Sequence, residues 1–128
     1  MRIAAAAARA GLPVKTVRYY AEIGLVAPAR ADNGYRDYSE ADARRLGFIG
    51  RARTFGFSIA ECRRLLALYE DETRASADVK AITEAHIAEI DAKMAALTTL
   101  RDELARISNA CAGDRHARCP IIDHLATG

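Results

Sequence analysis

Two thiols, Cys111 and Cys119, stand with seven residues between them in the run CAGDRHARCP near the end of the sequence. Thiolates at that distance admit four kinds of chemistry: a disulfide, half of a zinc site, a redox pair, or a complete site for a metal that wants only two ligands. His116 lies inside the loop and His124 follows it, so histidine donors are within reach in sequence. The third cysteine, Cys62, recurs with Ile59, Leu65, Leu66 and Tyr69 at spacings of three and four, which predicts a buried small hydrophobe on a helix rather than a ligand.

A second group of chemically capable residues lies at the other end. Residues 1 to 69 hold 12 Lys+Arg against 6 Asp+Glu, or +6, while residues 70 to 128 hold 7 against 11, or −4. Four of the five tyrosines fall within the first 38 residues. A basic head joined to an acidic tail is the charge plan of a nucleic-acid reader with a separate regulatory or assembly part. No catalytic set of nucleophile and base can be assembled from the three histidines and scattered carboxylates, and no glycine-rich phosphate loop is present, so an enzyme is not expected.

The elements that must position these groups are legible in outline. The 128 residues suit one compact domain or a small domain with an appendage, and the 28 alanines favour helix while burying little surface each. Residues 3–10 form a short helix ended by Gly11, and Pro13 opens a second that runs toward Gly24. Ala7, Leu12, Val17 and Tyr20 supply a shared core, which leaves Lys15, Thr16, Arg18 and Tyr19 on the free side of the second helix. That is a helix-turn-helix pattern, whose second helix enters the DNA major groove. Asn33-Gly34 supplies the positive φ angles of a tight hairpin flanked by Tyr35, Arg36 and Tyr38, a small wing able to donate to phosphate oxygens.

Ser39 with Asp42, and Ser58 with Glu61, read as two capping boxes that open successive helices. Ser76 as cap and Asp78 in the first turn then start a long helix to about Ala110. Along it Val79, Ile82, Ile87, Ile90, Met94, Leu97, Leu104 and Ile107 recur every three or four residues, a stripe too long for so small a head to bury. The expectation is a coiled-coil homodimer. The organisation expected is therefore a DNA-binding domain over 1–69, a linker and dimerisation helix over 70–110, and a metal-binding loop with a short helix over 111–128. No run approaches the roughly 18 apolar residues of a membrane span, and MRIAAAAARA is too weakly apolar for a secretory signal, so a cytoplasmic protein with reduced thiols is expected.

The segments VRYYAEIGLVAPAR, NGYRDYSEADARRLGFIGRARTFGFSIAE and CPIIDHLA closely resemble the MerR family of transcription regulators. Ser76 with ADVK after it, and the loop ending in CPII, resemble its copper-efflux (CueR/HmrR-like) subgroup. The resemblance covers essentially the whole chain. It implies a mainly α fold: a winged helix-turn-helix head, a long antiparallel coiled-coil dimerisation helix, and a short C-terminal metal-binding loop and helix. It implies a homodimer on double-stranded promoter DNA, working with RNA polymerase, in which metal triggers a change of DNA shape. Carried over by position, it implies DNA contacts from Lys15, Thr16, Arg18 and Tyr19 in the groove, from Tyr20, Tyr35, Arg36 and Tyr38 on the backbone, and from Arg53 near a second wing. It also implies Ser76 of the second copy beside the metal; Lys80, one turn on, is expected to contribute a cation. Ala4 departs from the family, which often caps the first helix with a polar residue there.

The thiol pair can then be weighed. Structural zinc takes four ligands, commonly as two close pairs, and a redox pair is more typically C-x-x-C; this chain offers one wide pair. A seven-residue loop can fold back so that two sulfurs face each other across one ion, about 4.5 Å apart with bonds of roughly 2.3 Å. Two soft thiolates in line favour a monovalent d10 ion, so Cu(I) is expected, with Ag(I) and Au(I) as mimics. The ion and two thiolates carry a net −1, which Cys119 as N-cap of a helix opened by Pro120 helps to steady. Ile121, Ile122 and Leu125 on that helix are expected to form an apolar lid, and His116 to be an exposed loop residue. The function expected is activation of copper-efflux genes, the alternatives being a sensor of a divalent metal or thiol reagent, or a cytosolic copper buffer.

Overall fold

The computed structural model describes residues Met1–Thr127. The elements run α1 (Ile3–Ala10), α2 (Val14–Glu22), β1 (Ala29–Arg30), β2 (Arg36–Asp37), α3 (Glu40–Thr54), α4 (Ile59–Glu70), α5 (Ser76–Asn109) and α6 (Pro120–Thr127). They divide into two compact units, Met1–Ile82 and the remainder from Thr83.

The first unit is the winged head. Gly11 adopts φ 71° and ends α1, its N–H donating to carbonyls of that helix, so the chain reverses into α2. Pro13 is the residue before α2 rather than its first helical position. Ala6, Ala7, Val17 and Tyr20 from these helices pack with Leu46 and Ile49 of α3 and with Cys62, Leu65 and Leu66 of α4. Both capping boxes form: the Asp42 N–H donates to Ser39 Oγ at 3.0 Å and the Ser39 N–H to Asp42 Oδ2 at 2.9 Å. Ser58 and Glu61 repeat this at 3.1 and 2.8 Å. Cys62 is fully buried; desolvation pushes its thiol pKa up, so it stays a neutral member of the core.

The wing is a two-stranded antiparallel ribbon in which Ala29 faces Asp37 and Arg30 faces Arg36. Its turn differs from the sequence expectation. Only Gly34 has positive φ, at 83°, and no other residue type in the described chain does, so Asn33 is not left-handed. The Gly34 N–H donates to Ala31 O at 2.9 Å and the Ala31 N–H to Tyr35 O at 2.8 Å, the pattern of a type I turn closed by a glycine bulge. Asn33 instead accepts from the Tyr35 N–H through Oδ1 at 3.1 Å.

Two boundaries also move. Ser76 is the first residue of α5, not the residue before it. The head extends past Tyr69 into α5, because Val79 and Ile82 pack against its core. In the second unit α5 continues to Asn109, and a loop leads to α6. Among the described residues no helix is long and apolar enough to cross a membrane.

Candidate metal centre and nucleic-acid face

The two sulfurs of Cys111 and Cys119 lie 3.6 Å apart, both half-buried. Local structure brings them together. Cys111 continues the last turn of α5, its N–H donating to Ser108 O at 3.0 Å. Cys119 precedes α6, and its carbonyl accepts the Asp123 N–H at 3.0 Å, which makes it the N-cap. Between them the Asp114 carboxylate accepts the His116 N–H at 2.9 Å, tightening the loop, while His116 itself is exposed.

The N-cap position gives Cys119 its chemistry. Hydrogen bonding from the Ile122 N–H, then the contact with Cys111, then the Ile121 N–H, hold its thiol pKa below the ordinary value against desolvation and the Asp123 carboxylate. A thiolate there is stabilised by the open end of α6 before any ion arrives. Behind the loop Ile107 is buried, Arg106 pairs with Glu103 at 2.5 Å within α5, and His124 Nε2 of α6 lies 4.0 Å from the same carboxylate.

Two soft sulfur donors fit a soft ion. Among the described residues no histidine, cysteine or carboxylate joins these sulfurs as a third donor within 4.8 Å. At 3.6 Å, bonds of about 2.3 Å to one ion would meet at about 100°. In-line coordination requires the sulfurs to part by about 1 Å. The expected lid is only partly present: Ile121 is half-buried, but Ile122 and Leu125 are 62% and 69% exposed. Ser76 and Lys80 both lie exposed on the first turns of α5, within the head unit.

On the head, Lys15, Arg18 and Tyr19 are exposed on α2 and Thr16 is half-buried beside them. Tyr35 is exposed at the wing turn and Arg36 half-buried on β2. Arg53 is exposed at the end of α3, where Nη1 donates to Phe57 O at 2.7 Å and braces the turn before α4. Two tyrosines sit differently from the expected backbone contacts. Tyr20 is 6% exposed and Tyr38 1%, both within the core cluster, and the Tyr38 hydroxyl is enclosed. At Tyr38 the N–H donates to Met1 O at 2.7 Å, which draws the residue against the start of the chain, and its ring packs into the core cluster. Sequence reasoning missed two arginines on the same face. Arg2 lies over the Tyr35 ring at 4.5 Å, and Arg30 donates from Nη1 to Gly34 O at 2.7 Å. The hairpin register was the signal that could have found Arg30.

Comparison with known proteins places the fold among helix-turn-helix regulators. Residues 1–68 match the family profile described as MerR HTH family regulatory protein, and residues 43–107 the one described as MerR, DNA binding. The chain is 51% identical over 128 residues to the HTH-type transcriptional regulator HmrR of Rhizobium leguminosarum bv. viciae, covering 100% of this chain and 99% of that one. It is 42% identical to the HTH-type transcriptional regulator CueR of Salmonella typhimurium, over 98% of this chain and 92% of that one. Among solved structures, the transcription regulator PbrR691 from Ralstonia metallidurans in complex with lead(II) superposes with a TM-score of 0.86 at 35% identity, covering 98% of each chain.

Proposed function

Because this chain belongs to the MerR family of helix-turn-helix regulatory proteins, we propose that it is a cytoplasmic homodimeric regulator that activates copper-efflux genes when Cu(I) occupies Cys111 and Cys119. Ag(I) and Au(I) act as mimics. The observation that carries the reading is the donor set: two sulfurs 3.6 Å apart, one of them already favoured as thiolate by the N–H groups of α6. The likeness to relatives named HmrR and CueR supports the same choice. When bound, the ion replaces the thiol–thiol contact with a link between the end of α5 and the start of α6.

The rest of the machinery follows from the same reading. The apolar face of α5, on which Ile87, Ile90, Met94, Leu97 and Leu104 are exposed, zips against a second copy. That copy brings its Ser76 beside the site, a hydroxyl that adds no charge, and Lys80 supplies a cation. Lys15, Thr16, Arg18 and Tyr19 enter the major groove, and Tyr35, Arg36 and Arg53 hold the backbone. Tyr20 and Tyr38 serve from beneath, as the packing on which those groups stand. Metal does not create DNA binding; it biases the dimer toward a state that bends promoter DNA so that RNA polymerase can use it, and it must prefer that state to do so. Bending costs a few kcal/mol, and the coupling has to be of about that size.

The test is transcription in vitro from the promoter upstream of the protein's own gene, at buffered free Cu(I), Ag(I) and Zn(II). Cys111→Ser and Cys119→Ser are expected to lose activation while footprinting shows that they still occupy the promoter. Absence of DNA binding by the metal-free wild type contradicts the reading. A second reading, a divalent-metal sensor, is favoured by the lead(II) complex of a structurally similar relative and by the bent angle that the sulfur separation implies. Activation by Zn(II) at free concentrations where Cu(I) is silent would select it.

A further inference from the structure

The end of α2 is held from another helix. Arg63, exposed on α4, donates from Nη1 to Gly24 O at 3.2 Å and from Nη2 to Ile23 O at 3.1 Å, bonds that span 39 and 40 residues of sequence. Those two carbonyls are the first beyond α2, whose last residue is Glu22. Earlier ones in the final turn are satisfied by backbone. Tyr19 O accepts the Ile23 N–H at 3.0 Å, Ala21 O the Gly24 N–H at 3.2 Å, and Tyr20 O the N–H groups of Leu25 and Val26 at 2.9 and 3.3 Å. The guanidinium of Arg63 completes a cap that the local sequence leaves open.

By itself α2 is poorly secured. It has 9 residues and no side-chain cap bond at Pro13. Helices shorter than roughly 12 residues depend on tertiary contacts to persist. Its last turn contains no basic residue, and Glu22 puts an anion at the negative end of the helix, which is electrostatically unfavourable. A cation brought from α4 offsets that. Arginine does so with a rigid fork of donors, so the two bonds fix direction as well as distance. Val17 and Tyr20 anchor the middle of α2 in the core and act as a pivot about which its ends can tilt. Arg63 removes that freedom at one end.

We propose that Arg63 is a positioning residue for DNA recognition: by holding Ile23 and Gly24 it sets the tilt of α2, and so the angle at which Lys15, Thr16, Arg18 and Tyr19 meet the base edges. The inference rests on the DNA-binding reading and goes beyond it, because Arg63 acts through α2 and not by touching DNA. Its effect therefore falls on selectivity. Contacts to base edges depend on direction, whereas long flexible cations follow a phosphate through a small tilt.

The experiment measures binding of the full-length dimer, by fluorescence anisotropy across a salt series, to a duplex from the promoter upstream of the protein's own gene and to a scrambled duplex. Arg63→Gln removes cation and fork together, and Arg63→Lys keeps the cation alone. Arg64→Gln, at the exposed neighbour on α4, is the charge control. Arg63→Gln is expected to lower the ratio of the two affinities about tenfold, roughly the worth of one base contact, while scrambled binding and the salt slope stay as in wild type. Arg63→Lys is expected to lose part of that ratio, and Arg64→Gln none of it. Should Arg63→Gln disturb the head in circular dichroism melts, Arg63→Lys carries the test. A wild-type ratio in either Arg63 variant overturns the positioning role. So does a slope of log K against log salt flattened by about 0.9 on both duplexes, since Arg63 would then hold a phosphate itself. Either result leaves the DNA reading standing; no wild-type binding to either duplex overturns both.

Discussion

At the scale of single residues, Cys119 and Cys62 are opposites made from one side chain. Cys119 caps a helix, where N–H groups favour the thiolate; Cys62 lies in a core that penalises it. The reactive form is the thiolate, so iodoacetamide at neutral pH is expected to modify Cys119 in the metal-free protein and to spare Cys62. The rate at Cys119 should reach half its maximum below the pH of an ordinary thiol. Its folded pKa is the lowered one, so the stabilisation is present above the unfolded thiol's pKa and is lost as pH falls through the folded value. Tryptic mapping across a pH series checks both points, and faster labelling of Cys62 contradicts them. The N-cap role was legible because Pro120 marks the start of a helix one residue later. The burial of Tyr38 was not, because the backbone pairing that draws it inward is with Met1, far away in sequence.

At the scale of elements, the parts read most securely were those with a reciprocal local signal. Ser39 with Asp42 and Ser58 with Glu61 each satisfy both halves of a capping box, and both helices start where the pairs place them. Ser39→Ala and Ser58→Ala are each expected to cost about 1 kcal/mol in urea unfolding. No measurable loss at either site would show that the boxes are incidental to the head. Where the signal was not reciprocal the reading slipped by one residue, at Pro13 and at Ser76. The wing turn slipped for a different reason. Asn-Gly is compatible with both a two-residue and a bulged turn, and the pairing of Arg30 with Arg36 decides between them. That pairing also kept Arg30 out of view, since opposition across a ribbon becomes visible only when its register is known.

At the scale of the whole molecule, a basic head and an acidic second half are joined by one helix that belongs to both compact units. The apolar stripe of that helix was visible as periodicity, and in the single chain Ile87, Met94, Leu97, Leu100 and Leu104 are all at least half exposed. Leu100 was absent from the stripe as read from sequence. A chain that leaves such a face open implies that the working unit is larger than one copy. In that unit the ion can act on DNA only if it favours one arrangement of the dimer over another. Everything then depends on which ions two sulfurs can hold, because a site completed by further donors would answer to a different set of metals. X-ray absorption at the copper edge, on the Cu(I)-loaded dimer bound to promoter DNA, counts those donors directly. The account predicts a first shell of two sulfurs, from Cys111 and Cys119; three or four first-shell donors would contradict it.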